Sequence, residues 1–227
     1  MQKKYVPLVV FLAALLVLAA HLGARMTLSA PTFSYAEEKR IYLTFDDGPS
    51  TVVTGRILDT LKQENVKATF FVVSDRVHGR EETLRRIVRE GHTVGVHSAS
   101  HEYSAIYASD SALLADVDAC AECIRRVTGV TAHCYRFPGG GSSDRKRQKA
   151  LLEERGYKVV HWNAVCGDEE IRNASAQTLV KESVRTAGGR STVVLLMHDS
   201  APHKATAEAL PEIIAHFRAQ GYTFCAY

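Results

Sequence analysis

The sequence predicts an α/β fold built on a parallel sheet. Three observations carry that prediction. Apolar or β-branched runs of five or six residues alternate with longer runs of helical spacing, the pattern of repeated βα units. The run Val193–Met197 is apolar without interruption, as expected of a strand covered on both faces. Titratable residues follow the ends of successive predicted strands, the end of a parallel sheet where active sites form.

The elements follow in order. Ile41–Phe45 is a strand, stopped by the turn residues Asp46-Asp47-Gly48-Pro49. Val52–Glu64 is a helix with apolar residues at Val53, Ile57, Leu58 and Leu61. Ala68–Val73 is a strand, Glu81–Glu90 a helix and Thr93–His97 a strand. Asp110–Thr128 is an Ala-rich amphipathic helix. Cys134–Phe137 is a short strand before Pro138-Gly139-Gly140-Gly141, and a helix follows from Asp144 to Arg155. Lys158–Trp162 is a strand, Ser175–Ala187 a helix and Thr192–Met197 a strand. Lys204–Ala219 is a helix and Tyr222–Ala226 a last strand. There is no internal repeat.

A chain of 227 residues accommodates one such domain with a short appendage. Its 46% apolar and 23% charged content excludes disordered, collagen-like and multi-span membrane classes. The formal charge of +3 lies wholly in residues 1–36; residues 37–227 carry 25 basic and 25 acidic side chains. No basic stripe is visible, so a nucleic-acid partner is not expected.

Residues 1–36 read as an address. Lys3 and Lys4 precede the uncharged run Val6–Ala20, and no further charge occurs before Arg25. That is the layout of an export signal. Counted from Tyr5 to Ala24, the run is also just long enough to span a bilayer as a helix. Ser34-Tyr35-Ala36 offers small residues for cleavage before Glu37, although far from the apolar run. A cleaved signal peptide and a retained membrane anchor with a short tether both fit. In either case the lysines stay inside and residues 37–227 go outside, to the extracellular space or the outer face of the cytoplasmic membrane.

The five cysteines are Cys120, Cys123, Cys134, Cys166 and Cys225, and an odd count leaves at least one without an internal partner. Cys120 and Cys123 fall inside a predicted helix, whereas a redox pair opens one after a strand. We read them as semi-buried packing residues. No second C-x-x-C exists to form a zinc ribbon.

Two clusters carry chemistry. Asp46 and Asp47 are adjacent carboxylates, which repel unless a cation or an arginine divides them; a turn accounts for them equally well. His97 and His101, four residues apart, converge on one metal if the segment is tightly turned; two surface histidines are the plainer account. One carboxylate added to two histidines makes a three-ligand set with open positions, typical of a catalytic metal.

Four motifs stand in order: Thr44-Phe45-Asp46-Asp47-Gly48-Pro49, His97-Ser98-Ala99-Ser100-His101, Arg136-Phe137-Pro138-Gly139 and Leu195-Leu196-Met197-His198-Asp199. Together they resemble the polysaccharide deacetylase family, the NodB-homology domain of carbohydrate esterase family four, over about residues 38–227. The resemblance implies a distorted, often incomplete (β/α) barrel, here of about seven βα units. It implies a metal triad of Asp47, His97 and His101, usually for zinc, with cobalt also accepted. It makes Asp46 the catalytic base, Arg136 its partner and His198 the catalytic acid. Gly139 would offer its backbone N–H beside the oxyanion, and Leu196 an apolar wall near the acetyl methyl. Asp168 stands where the family places the carboxylate that orients the acid histidine, but Glu169 replaces the Trp that often follows. Cys166, close by, reads as a bystander. Tyr103 and Tyr107 fit either sugar stacking or packing.

The implied substrate is the N-acetylglucosamine of peptidoglycan, with chitin oligomers second. A small-molecule amide hydrolase on the same fold is an alternative, disfavoured by export. A non-catalytic carbohydrate-binding protein would have lost Asp46 or His198, and both are present. No appended LysM-type module, no membrane contact beyond the N-terminal segment and a monomeric state are expected.

Overall fold

The structure is a computed structural model that describes residues 38–140 and 145–227. The predicted signal or anchor, the tether and Asp144 lie outside the described residues. Strands and helices alternate as β1 (Arg40–Gly48), α1 (Val53–Gln63), β2 (Thr69–Val73), a 3-10 turn (Ser74–Arg76), α2 (Glu81–Arg89), β3 (Thr93–Ser98), α3 (Tyr103–Ile106), α4 (Asp110–Thr128) and β4 (Cys134–Tyr135). Then come α5 (Lys146–Glu154), β5 (Lys158–Val159), β6 (Ala164–Val165), α6 (Ala176–Ala187), β7 (Thr192–His198), α7 (Lys204–Ala219) and β8 (Thr223–Cys225).

The strands run in the order β5-β4-β3-β2-β1-β7-β6, and β8 pairs with the start of β1. All pairings are parallel. The result is a curled, incomplete (β/α) barrel, as the resemblance implied. Its two edge strands, β5 and β6, are consecutive in the chain. Val159 and Ala164 are at most about 18 Å apart along an extended chain, so the edges face each other across a narrow gap.

Period-two alternation sorts the side chains. Ile41, Leu43 and Phe45 of β1 join Phe70 and Val72 of β2 and Val193, Leu195 and Met197 of β7 in the large core under the helices. The intervening residues face the barrel interior, where Phe71, Cys134, Val160 and Val194 pack with Tyr42, Trp162 and Tyr227. Gly95 leaves room for this cluster, since a Cβ there would stand 2.6 Å from the Phe71 ring. The same alternation sends Thr44, Asp46, Leu196 and His198 to the interior side at the carboxyl ends of β1 and β7.

Two elements differ from the sequence expectation. The strand predicted over Lys158–Trp162 stops at Val159, and a separate strand, β6, follows. Between them Asn163 takes the part of backbone: its Nδ2 donates to the Thr192 carbonyl (3.0 Å) and its Oδ1 accepts from the Val194 N–H (2.8 Å). The chain thereby crosses from the β4 side to the β7 side without a helix. Consequently Asp168 follows the sixth strand and His198 ends the seventh, each one later than the sequence count. The four-residue helix α3 was not expected either, being too short to show a period. All five cysteines are free. Among the described residues no helix is long and apolar enough to cross a membrane.

Candidate active site

Adjacent residues of a strand point to opposite faces, so Asp46 and Asp47 should diverge. A bulge prevents it. Asp46 pairs with Phe71 and Gly48 with Val72, leaving Asp47 unmatched at φ +76°. The extra residue turns both carboxylates to the same side. A second irregularity at the end of β3 skips His97 between Val96 and Ser98, and His101 lies at φ +63°.

His97 Nε2 and His101 Nε2 approach Asp47 Oδ1 to 3.4 and 3.1 Å. His97 Nδ1 is 2.8 Å from the Arg136 carbonyl oxygen. A carbonyl only accepts, so Nδ1 carries the proton and Nε2 presents its lone pair to Asp47. Burial lowers the His97 pKa and keeps the ring neutral. Burial alone would raise the Asp47 pKa, but the surrounding histidines outweigh it and hold the carboxyl well below its ordinary range. Yet Asp47 Oδ1 is buried and accepts no hydrogen bond. An orphaned carboxylate oxygen facing two imidazole nitrogens fits a divalent cation between them, and the donor set suits zinc or a similar ion.

The turn that carries His101 is tied from α4. Asp116 accepts from Ser98 Oγ (2.8 Å), the Ala99 N–H (3.0 Å) and the Ser100 N–H (3.3 Å). Ser98 Oγ accepts in turn from the His101 N–H (2.8 Å). Sequence reasoning missed Asp116. Its signal is a carboxylate on the same helical stripe as buried Leu113, Val117 and Cys120.

Asp46 is buried beside Arg136, whose side chain is wholly buried. Arg136 Nη1 donates to Asp46 Oδ1 (2.9 Å) and Thr44 Oγ1 (2.8 Å). Its guanidinium lies over the Phe71 ring at 4.3 Å, so packing fixes the plane of the fork.

At the end of β7, His198 Nδ1 donates to Asp168 Oδ1 (2.8 Å). Asp168 Oδ2 accepts from the His198 N–H (2.8 Å) and from Thr206 Oγ1 (2.7 Å). Burial lowers the His198 pKa, but the Asp168 carboxylate more than compensates and lifts it to about 9. Glu169 turns the other way, with Oε1 3.0 Å from His203 Nε2. Ser200 Oγ lies 2.9 Å from His203 Nδ1. This second trio was not legible, because Glu169 is far in sequence from Ser200 and His203.

These groups meet in one cavity of about 290 Å³, lined by Asp46, Asp47, His97, His101 and His198 with Gly139, Leu196, Tyr103, Phe137, Trp162, Glu169 and Glu170. Each site residue expected from the sequence except Arg136 and Asp168 reaches its wall, and those two stand behind Asp46 and His198. Tyr103 is 49% exposed on the rim. Tyr107 is a packing residue: its hydroxyl donates to the Pro138 carbonyl (2.7 Å) and Arg145 covers its ring. Cys166 is buried and its thiol pKa is pushed well up, an inert group beside Asp168. Trp162 supplies an indole wall from the gap between the edge strands.

Comparison with known proteins identifies the family. Residues 34–160 match the family model described as polysaccharide deacetylase. YheN of Bacillus subtilis is 34% identical over 191 residues, 82% of this chain and 66% of that one. The peptidoglycan-N-acetylglucosamine deacetylase PgdA of Listeria monocytogenes is 37% identical over 186 residues, 82% of this chain but 37% of that one. The chain thus spans roughly a third to two thirds of the length of these relatives. The catalytic domain of the peptidoglycan N-acetylglucosamine deacetylase from Eubacterium rectale superposes with a TM-score of 0.74 at 34% identity, covering 83% of this chain and 88% of that one. A Streptococcus mutans CE4 esterase gives 0.79 at 31% identity, covering 83% and 86%. With its motifs in order, its sheet curled alike and more than half its length matched, the chain belongs to the polysaccharide deacetylase family.

Proposed function

We propose that this protein is a metal-dependent hydrolase that removes N-acetyl groups from a cell-wall polysaccharide, with the N-acetylglucosamine of peptidoglycan as substrate. The observation that carries the reading is the meeting of a buried, cation-ready triad, an arginine-held carboxylate and a carboxylate-held histidine in one cavity. Asp47, His97 and His101 hold the ion. A zinc or cobalt ion held there would supply Lewis acidity for amide hydrolysis. Asp46, aimed by Arg136, takes the proton of the attacking water. The Gly139 N–H faces the developing oxyanion, and Leu196 lies along the acetyl methyl. His198, held by Asp168 through Nδ1, gives its other ring proton to the departing nitrogen, so acetate and a free amine leave. Without that donor the intermediate would return to amide.

The choice of glycan rests on relatives named for peptidoglycan. We place the domain outside the cytoplasm on the strength of the uncharged run 5–24, with a fraction of the protein retaining that run as an anchor. Incubating zinc-loaded protein with peptidoglycan and with chitin oligomers, then assaying acetate, tests the activity. Release from peptidoglycan is expected; release from neither overturns the proposal, and release from chitin alone reassigns the substrate. N-terminal sequencing of membrane-sedimented protein tests the anchor, and a start only at Glu37 would refute it.

A further inference from the structure

A second cavity, of about 510 Å³, shares Asp47, His101 and Glu169 with the first. Its chemistry is different. The first has Tyr103, Phe137, Trp162 and Leu196 in its walls. The second has no Phe, Tyr or Trp and is instead lined by Arg76 and Arg80.

Both arginines are of intermediate exposure, and each is hydrogen-bonded in place. Arg76 Nη1 donates to the Asp47 carbonyl oxygen (2.5 Å) and lies 3.7 Å from Asp47 Oδ2. Arg80 Nη1 donates to the Arg76 carbonyl oxygen (2.9 Å), and its Nε donates to Thr51 Oγ1 (3.2 Å). Arg80 therefore spends its bonds on neutral oxygens. Among the described residues no carboxylate lies within 4.0 Å of it. Glu169, the one acid on the wall besides Asp47, is already engaged by His203. Two guanidinium groups four residues apart repel unless an anion or water shares the space. A planar fork held rigid, partly desolvated and uncompensated is the donor arrangement that matches a carboxylate.

We infer that this second cavity is an anion subsite, in which Arg80, with Arg76 behind it, binds a carboxylate carried by the glycan beside the acetamide being cleaved. The inference rests on the glycan-deacetylase reading above and narrows it. A neutral N-acetylated oligomer offers Arg80 nothing, whereas peptidoglycan presents carboxylates on its peptide substituents or, where the peptide is absent, on the lactyl group. Arg80 is then a specificity residue: it selects the acidic glycan and leaves the chemistry to the first cavity.

The test uses the full chain and two probes, neutral tetra-N-acetylchitotetraose and a carboxylate-bearing, uncrosslinked peptidoglycan fragment. In the zinc-loaded protein, Arg80→Gln should raise KM for the peptidoglycan fragment by about tenfold, with kcat unchanged. Its action on chitotetraose should not change, which also shows that the variant is folded. Arg80→Lys should recover part of the loss. Equilibrium binding to metal-free protein gives a readout independent of turnover. There Arg80→Gln should weaken the peptidoglycan fragment alone, and added salt should weaken it in wild type more than in the variant. Equal affinity of wild type and variant for the acidic fragment, or an equal loss for both probes, overturns the subsite. Arg80-dependent binding without acetate release from either probe would instead overturn the deacetylase reading while leaving the subsite standing. Deacetylation of both probes with no effect of Arg80 would do the reverse.

Discussion

Gly48 has no room for a side chain. A Cβ there would collide with the carboxylate of Asp199, which is buried, receives a 2.6 Å bond from Thr54 Oγ1 and is pushed up to about 7 by burial. Gly48→Ala should therefore destabilise the protein by about 1–3 kcal/mol, the usual cost of overpacking. Gly55 makes the contrast. It sits inside α1, and a Cβ would meet nothing within 4 Å. Gly55→Ala should stabilise by about 0.5–1 kcal/mol. Denaturant unfolding of the two variants side by side checks both signs. His198 carries the pH prediction. Its pKa rises from an ordinary 6.5 to about 9 because Asp168 favours the charged ring. The pair thus contributes stability that is full below about pH 6.5 and is lost as pH climbs through about 9. Asp168→Asn removes the charge, so the His198 titration, followed by NMR in metal-free protein, should fall below 9. The alkaline limb of activity should move down with it. A limb that stays in place would show that His198 is not the acid.

At the scale of elements, α4 ties the turn of the proposed metal triad without contributing a ligand. Asp116→Ala leaves Asp47, His97 and His101 intact but frees the turn that positions His101. Metal affinity should drop by about 10–100-fold, the typical worth of an outer partner, measured by competition with a chelator. Affinity equal to wild type would mean that the bulged strands alone hold the triad. The long helices and apolar strands were legible because each repeats its pattern over several turns or pleats; α4 and α7 begin and end where the spacing places them. Asp46, Asp47, His97 and His101 were legible because they crowd into short segments. The pairings of Arg136 with Asp46 and of His198 with Asp168 were implied by the family resemblance; no local pattern records them. Asp116, Arg80 and the Glu169–His203–Ser200 trio were not legible. Each depends on which loop the barrel folds back on which helix, and no local period records that. The bulge at Asp47 was hidden for a related reason: it is a mismatch of register between two strands, invisible in either alone.

For the molecule as a whole, a cation bound only by the native state must raise its stability. At about one hundred times the dissociation constant the gain is about 2.7 kcal/mol, or roughly 5–10 °C in Tm for a domain of this size. Chelated protein titrated with zinc in a thermal melt should show that rise, and His97→Ala should abolish it. No shift in wild type would refute the triad as a metal site. The open barrel also has a bearing on self-association. A sheet left unclosed exposes unpaired N–H and C=O groups on which another copy of the chain can template. Here the edge strands are two residues long, Lys158–Val159 and Ala164–Val165. Beyond the shorter reach of β6, the Asn163 amide occupies the free backbone groups of Thr192 and Val194. At the gap where Trp162 stands, the Asn163 side chain thus guards this stretch of β7 against intermolecular strand addition, while Thr186 Oγ1 bonds the Val165 N–H and carbonyl of β6. Asn163→Ala would bare that stretch, and the variant should aggregate faster at high concentration while its fold, followed by circular dichroism in dilute solution, changes little.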